Sequence, residues 1–246
     1  MIDIHMHVVP GVDDGCGDLE ESLKMVRKAA KQGIDTIIAT PHSFAFDDFG
    51  NEVRRRFDSL REELQENSIP VRILLGCEVY CSRADMDKNM SCLAAGIYPT
   101  MNSTRYVLTE FSPRTKEKDA FYCIERLLEE GYIPLIAHAE RYRFINLHTA
   151  KAIRELGGAI QINIYSVFRE REDEIRERAN LLLKSQLVDF TGSDAHRLDH
   201  RPPSVKEGIK YLYQTYDTDY VNRILHENAQ RLLIPQRLDE ESEYEW

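Results

Sequence analysis

MIDIHMHVVPGVDDGCGDLEESLKMVRKAAKQG, residues 1–33, holds one complete structural unit. The run Ile2–Val8 is apolar apart from Asp3, His5 and His7, and reads as a β-strand. A loop rich in Gly and Asp follows it. A helix pattern then begins at Asp18, an N-cap with Glu21 three residues on, as in a capping box. Leu19, Leu23, Val26 and Ala30 form one apolar face, and Gly33 is placed to stop the helix.

This unit recurs. Further apolar runs span Thr36–Thr40, Val71–Val79, Tyr106–Phe111, Ile133–Ala137, Ala159–Ile164 and Val188–Thr191. Helical patterns separate them at Asn51–Glu66, Glu117–Glu130, Thr149–Leu156, Glu170–Lys184, Ser204–Tyr216 and Asp219–Leu233. Continuous runs of Ile, Val and Leu suit strands covered on both faces. Strict alternation implies parallel strands joined by right-handed crossovers. Seven units predict an α/β fold, as a closed or nearly closed barrel or a doubly wound open sheet. With no linker or repeat in between, residues 1–236 are expected to form one domain, and the acidic tail RLDEESEYEW, 237–246, to be mobile.

Bulk composition narrows the partners. The 246 residues carry 32 Lys and Arg against 42 Asp and Glu, a formal charge of −10 that opposes nucleic acid as a main partner. There is neither an apolar run of about 18 residues nor a secretory leader, so no membrane insertion and a cytoplasmic location are expected. The five cysteines are odd in number and form no C-x-x-C pair, which argues against a disulfide framework or a thiolate zinc cage. The apolar helix faces look core-directed, so no interface is legible and self-association stays open.

The chemistry lies where the strands end. His5 and His7, two apart on the first strand, share a face. The later strands run into His42 (TIIATPHS), Glu78 (ILLGCEVY), Glu110 (YVLTEF), His138 (IPLIAHAER), and Asp194 with His196 (VDFTGSDAH). Asp14 sits in the first loop. A single such ending is ordinary, and H-x-H alone is a weak signal. Six of seven strands ending this way, beside runs as apolar as RILLGCE, is not, because buried carboxylates need compensating cations. The carboxyl end is also where α/β barrels keep their active sites.

Five imidazoles and four carboxylates exceed what one ion needs and suit two or three ions sharing bridging carboxylates. A donor set without thiolate favours Mn²⁺, Zn²⁺ or Fe²⁺ over Ca²⁺. Asp14, Glu78, Glu110 and Asp194 supply four negative charges; three divalent ions would leave the site at about +2. A phosphate could bind there in spite of the overall charge.

The motifs HMH, PHS, GCE, AHAER and SDAH, in this order, resemble the polymerase-and-histidinol-phosphatase superfamily of metal-dependent phosphoesterases. IDIHMHVVPGVDDG, QINIYS and DHRPP look more specifically like the bacterial manganese-dependent protein-tyrosine phosphatases of capsule and exopolysaccharide loci. The resemblance runs from His5 to ENAQRLL and implies a distorted (β/α)7 barrel holding three ions, with manganese replaceable by zinc, iron or cobalt. It assigns His5, His7, Glu78 and Asp194 to the first ion. Glu78, Glu110 and His138 would hold the second, and Asp14, His42 and His196 the third. Arg141 and Arg201 match the family's phosphate clamps, while Ala139 stands where the family often has proline. The implied substrate is a phosphotyrosine protein, a bacterial tyrosine kinase.

Attack by a water bridging the ions, with Asp14 at the reacting centre, would need no covalent enzyme intermediate. Asp13 or His200 could assist the leaving group. The same cage would accept a small ester such as histidinol phosphate. A rival cysteine-phosphatase reading uses C-x₅-R, Cys77 to Arg83, but no glycine lies between them to form a phosphate cradle. A metal-binding regulatory domain without turnover would need a missing ligand. Phe44, Phe46 and Phe49 after His42 form either a lip over the site or a small core of their own loop.

Overall fold

Strand β1 (Ile2–Met6) and helix α1 (Leu19–Lys31) form the first unit. Asp18 Oδ1 accepts the Glu21 N–H at 2.8 Å. Glu21 Oε2 accepts the N–H of Gly17 at 2.8 Å rather than that of Asp18, so the reciprocal cap is displaced by one residue. Gly33, at φ +92°, ends the helix. Its N–H reaches Ala30 O at 2.9 Å and the Ile34 N–H reaches Ala29 O at 3.1 Å, a Schellman motif. The structure, a computed structural model, describes residues 1–168 and 173–236.

Seven more strands follow: β2 (Thr36–Ala39), β3 (Arg72–Leu75), β4 (Glu78–Tyr80), β5 (Tyr106–Glu110), β6 (Ile133–Ile136), β7 (Ala159–Asn163) and β8 (Phe190–Gly192). Every registered pair is parallel. The ladders are β1-β2-β3 and β4-β5-β6-β7-β8. Hydrogen bonds close both gaps. At one, the Ser43 N–H donates to Glu78 O at 2.8 Å and the Glu78 N–H to Pro41 O at 3.1 Å. At the other, the His7 N–H meets Ala195 O and the Asp194 N–H meets His5 O, each at 2.8 Å. The result is a distorted barrel with seven strand positions.

The run Val71–Val79, read as one strand, is broken at Gly76–Cys77. β3 completes the β2 ladder, and β4 opens the β5 ladder. Gly76 sits at the break because the wall is crowded there: a Cβ would lie 3.0 Å from Met101 Sδ and 3.2 Å from Ile38 Cγ2. The break lets one strand position turn from one ladder to the next.

Ile2, Ile4, Ile38, Leu108, Leu135 and Phe190 pack as an inner floor. A larger core lies between the strands and the helices. The β1–β2 register shifts between Asp3 and Met6. Strict alternation would put Ile4 and His5 on opposite faces. The irregularity lets Ile2 and Ile4 join the floor while His5 and His7 also turn inward, the re-aiming that bulges commonly perform beside active sites.

Helices α2 (Phe44–Glu66), α3 (Met86–Ala94), α4 (Glu117–Glu129), α5 (Leu147–Glu155), α6 (Glu174–Lys184) and α7 (Lys206–Thr215) occupy the connections. Helix α2 begins seven residues before the expected Asn51, taking the Phe-rich segment into its first turns. Helix α3 lacks a strong apolar stripe and was not legible as a helix. The stretch expected at Asp219–Leu233 is a composite of α8 (Thr218–Asn222), a π-helical turn at Arg223–Glu227, α9 (Asn228–Gln230) and a 3₁₀ turn to Leu233. The expected start at Glu170 and the tail 237–246 fall outside the described residues. Among those described, no helix is long and apolar enough to cross a membrane.

The β8–β1 seam depends on Gly192, where a Cβ would lie 2.8 Å from His5 Cβ. Gly192→Ala is expected to cost about 1–3 kcal/mol by overpacking. Thermal unfolding followed by circular dichroism should then show a midpoint lower by roughly 2–12 °C; an unchanged midpoint would mean that the seam has slack.

Candidate metal centre

The closed wall delivers ionisable side chains to one end of the barrel. His5 and His7 come from β1, His42 from just past β2, Glu78 from β4 and Glu110 from the end of β5. His138 follows β6, Asp194 and His196 follow β8, and Asp14 reaches in from the β1–α1 loop. All nine side chains named from the sequence converge. Four overlapping sets hold their donor atoms within 4.8 Å of one another: His7, Asp14, His42 and His196; His5, Glu78 and His138; His5, His7 and Asp194; His42, Glu78 and Glu110.

Glu78 is the hub. Its Oε2 lies 3.3 Å from His5 Nε2, 3.1 Å from His7 Nε2 and 3.2 Å from His42 Nδ1, and its Oε1 lies 2.9 Å from His138 Nε2. Asp14 Oδ1 is 3.4 Å from both His42 Nε2 and His196 Nε2. The partition differs in two places from the one the resemblance implies. His7 joins the Asp14 set, and Glu110 sits nearer His42 (3.5 Å) than His138 (3.9 Å).

Four of the five imidazoles have a partner behind the ring, whereas His42 turns both its nitrogens to carboxylates. His7 Nδ1 donates to Asp13 Oδ2 at 2.8 Å, and His196 Nδ1 to the carbonyl of Asp194 at 2.9 Å. His5 Nδ1 faces Gln161 Oε1 at 3.4 Å, and His138 Nδ1 faces the Tyr142 hydroxyl at 3.1 Å. For His7 and His196, whose Nδ1 faces an acceptor-only oxygen, Nδ1 carries the proton and Nε2 is turned to the cluster, the arrangement that prepares histidine for a cation. His5 Nε2 and His7 Nε2 stand 3.3 Å apart, close enough to share one proton or one cation between them.

Electrostatics supports the fit. Glu78 Oε2 is buried beside three imidazole nitrogens, none of them aligned among the described residues to donate a hydrogen bond to it. Burial opposes the charge on Glu78, but His5 and His138 hold its carboxyl well below the usual range. Burial, then Glu78, pushes Glu110 up to about 7. The hydrogen bond with His42 holds Asp14 low. Burial and Arg141 lower His138 to about 4, and burial and His7 lower His196 to about 3, so both stay neutral, the form that binds metal. His5 and His7 are raised against the effect of burial, by Glu78 and Asp13 respectively. Protons there stand in for the positive charge that the carboxylates demand. The donor set therefore fits divalent cations.

The arginines meet at one oxygen. Arg141 Nη2 lies 2.7 Å and Arg201 Nη1 2.9 Å from Asp194 Oδ2, which also accepts from Asn163 at 3.0 Å. Arg141 also donates to the Tyr165 hydroxyl at 2.6 Å. Backbone strain concentrates here: His138, Asp194 and Arg201 have φ of +31°, +51° and +57°. Such conformations cost of order 1–3 kcal/mol each in non-glycine residues and persist where surrounding contacts impose them.

A sequence model described as capsular polysaccharide synthesis, CpsB/CapC, matches residues 1–234. The chain belongs to the CpsB/CapC family. It is 33% identical over 242 residues to tyrosine-protein phosphatase CpsB of Streptococcus agalactiae, covering 95% of this chain and 98% of that one. It is 34% identical to tyrosine-protein phosphatase YwqE of Bacillus subtilis, over 97% and 93% of the two chains. A structure from work on YwqE and on CpsB of Streptococcus pneumoniae, described as unique metal-dependent tyrosine phosphatases, superposes with a TM-score of 0.86 at 33% identity and 96% coverage of each chain. A Listeria monocytogenes lactonase shares the fold alone, at 12% identity and a TM-score of 0.63.

Within this CpsB/CapC site the structure revises the reading of Asp13 and agrees with the rejection of thiol chemistry. Asp13, considered as a proton donor, is pinned by His7, by the His42 N–H at 3.1 Å and by the Gly15 N–H at 3.0 Å. Burial is overcome by His7, and its carboxyl is lowered, so it orients His7 and has no proton to give. Cys77 lies at the strand break, and burial drives its thiol well up, which disqualifies it as a thiolate. Arg83 is engaged elsewhere, 4.1 Å over the Tyr122 ring. His200 is exposed on the 196–201 loop.

Gln161, Asn163 and Tyr165 lie in QINIYS, quoted above for the resemblance but given no role there, and Tyr142 was not singled out. Gln161 and Asn163, polar and two apart in the apolar run AIQIN, carried a legible signal of an inward face. Tyr142 carried none. Asp13→Ala should weaken divalent-metal affinity by about 10–100-fold by freeing the His7 ring. Competition titration against a chelator measures this directly; wild-type affinity would mean that the ring needs no support.

Proposed function

We propose that this chain is a metal-dependent protein-tyrosine phosphatase of capsule or exopolysaccharide synthesis, working in the cytoplasm on a phosphotyrosine-bearing bacterial tyrosine kinase. One observation carries the reading. Nine imidazole and carboxylate donors meet around Glu78, and two arginines stand over one edge of the same cluster. Membership of a family whose relatives are named tyrosine-protein phosphatases supports the substrate.

His5, His7, Asp14, His42, Glu78, Glu110, His138, Asp194 and His196 would hold up to three ions, manganese in the first instance, with zinc, iron or cobalt as substitutes. When bound, such ions lower the pKa of water to give a nucleophile near neutral pH and polarise phosphoryl oxygens. The chain's own groups do the rest. Asp13, Gln161, Tyr142 and the Asp194 carbonyl fix the imidazole rings. Arg141 and Arg201 offer N–H donors to phosphoryl oxygens, and their fixed charge stabilises the developing negative charge. Asp194 and Tyr165 hold those guanidinium groups before substrate arrives, so little reorganisation is needed. A phenolic leaving group, with a pKa near ~10, departs with less protonation than an alkoxide. That suits a site in which the nearest buried carboxylates face imidazoles.

Chelation by EDTA should abolish phosphotyrosine hydrolysis, manganese should restore it, and thiol alkylation should leave most of it. Elemental analysis of the restored protein should approach three ions per chain. The opposite pattern, with loss on alkylation and indifference to EDTA, would return the site to thiol chemistry. Arg201→Ala should lower kcat/KM by about 10²-fold. Phosphotyrosine peptides should exceed histidinol phosphate in kcat/KM; a reversed order would keep the metals and replace the substrate.

A further inference from the structure

Helix α2 splits the two described phenylalanines of the SFAFDDFG segment. Phe46 is buried, edge-on to Tyr98 with ring centroids 6.5 Å apart. Phe44 goes the other way. At 57% exposure it is the most exposed aromatic side chain among the described residues. Its ring stacks on His42, centroids 5.3 Å apart and planes at 23°. The same His42 ring lies 3.4 Å from Asp14 and 3.2 Å from Glu78. A large apolar ring is thus left in water at the lip of a strongly polar cluster.

Tyr80 is on the strand tied to the same segment. Glu78 and Tyr80 are two apart on β4 and share a face, so Tyr80 lies one layer outward from the hub carboxylate. It is 41% exposed. Ser43, immediately before Phe44, accepts the Tyr80 N–H at 3.2 Å, and its own N–H donates to Glu78 O at 2.8 Å. The backbones carrying the two rings and the hub are therefore tied together. Phe46 anchors the first turn of α2 in the core, which holds Phe44 in place at low entropic cost.

We propose that Phe44, on the segment tied to Tyr80, forms an aryl subsite that selects phosphate esters of phenols over those of alkyl alcohols. This rests on the phosphatase reading and adds the residues that read the leaving group. With phosphorus at the cluster, the ester oxygen and its substituent must point outward through the mouth. A phenyl ring there meets the free face or edge of Phe44, whereas a serine side chain ends before it. Aromatic pairs gain energy beyond their buried area, so the preference is worth roughly two- to tenfold. Phe44 makes no hydrogen bond to the donor cluster and acts on substrate by ring contact.

The test compares kcat/KM for two peptides of one sequence, bearing phosphotyrosine or phosphoserine, on manganese-loaded protein. Phe44→Ala should lower the phosphotyrosine-to-phosphoserine ratio by roughly two- to tenfold, Phe44→Leu by less, and Phe44→Trp should hold it. Metal content and thermal midpoint, measured alongside, should stay at wild-type values, since the side chain is mostly in solvent. Calorimetric binding of phenylphosphonate and methylphosphonate gives a readout independent of turnover. The phenyl compound should bind more tightly, and Phe44→Ala should erase the difference. Equal loss on both peptides, or an unchanged phosphonate preference, overturns the subsite and leaves the phosphatase reading intact. A wild-type protein that hydrolyses neither peptide overturns that reading, and if it also binds both phosphonates equally the subsite falls with it.

Discussion

A carboxylate cannot stay charged inside a barrel unless positive charge comes to it. Glu78 imposes this condition on the whole molecule. It is buried, and four imidazole nitrogens from three separate chain segments lie within 3.3 Å of its two oxygens, with none aligned as a hydrogen-bond donor to Oε2. Removing one such group from water without compensation costs several kcal/mol. Protonated histidines meet part of the demand, and divalent cations on the same donors meet it better, because one ion satisfies several carboxylates at once. The broken third strand follows from the same condition. A continuous strand would keep its place in one ladder; the turn at Gly76–Cys77 puts Glu78 at the join of both ladders, where His5, His42 and His138 can all reach it.

Overall charge and local charge act at different ranges here. The chain is strongly acidic, yet Arg141 and Arg201 stand over the cluster with little carboxylate left to neutralise them once Asp194 is shared with a cation. Screening at physiological ionic strength confines the bulk acidity to about 8 Å. An anion that reaches the mouth is governed by the two guanidinium groups and whatever the donors hold. The unusual backbone at His138, Asp194 and Arg201 places these groups where relaxed φ values would not.

Strand positions and their ionisable endings were legible because both are local. An apolar run shows its own ends, and a His or Asp at that point is visible without neighbours. The capping residues Asp18 and Gly33 were readable for the same reason. What the chain hides is pairwise. Whether Val71–Val79 is one strand or two depends on Met101 and Ile38, which crowd Gly76 from elsewhere. The early start of α2 at Phe44 depends on Tyr98 accepting Phe46. Asp13, read as a possible proton donor, shows its role as a support only once the His7 ring is seen to lean on it. The inward turn of His5 and His7 needed a register shift that periodicity two does not contain.

The seam between β8 and β1 joins residues at opposite ends of the barrel-forming chain. Asp3 Oδ1 accepts the N–H of Ser193, 190 positions away. On the ribosome the first strand emerges early, carrying two histidines, and its second neighbour is still unmade. At typical elongation speeds the wait is of order ten to forty seconds. Throughout that interval the nascent polypeptide has no enclosed cage and only a partial set of donors, so the finished chemistry is withheld until the eighth strand has been made.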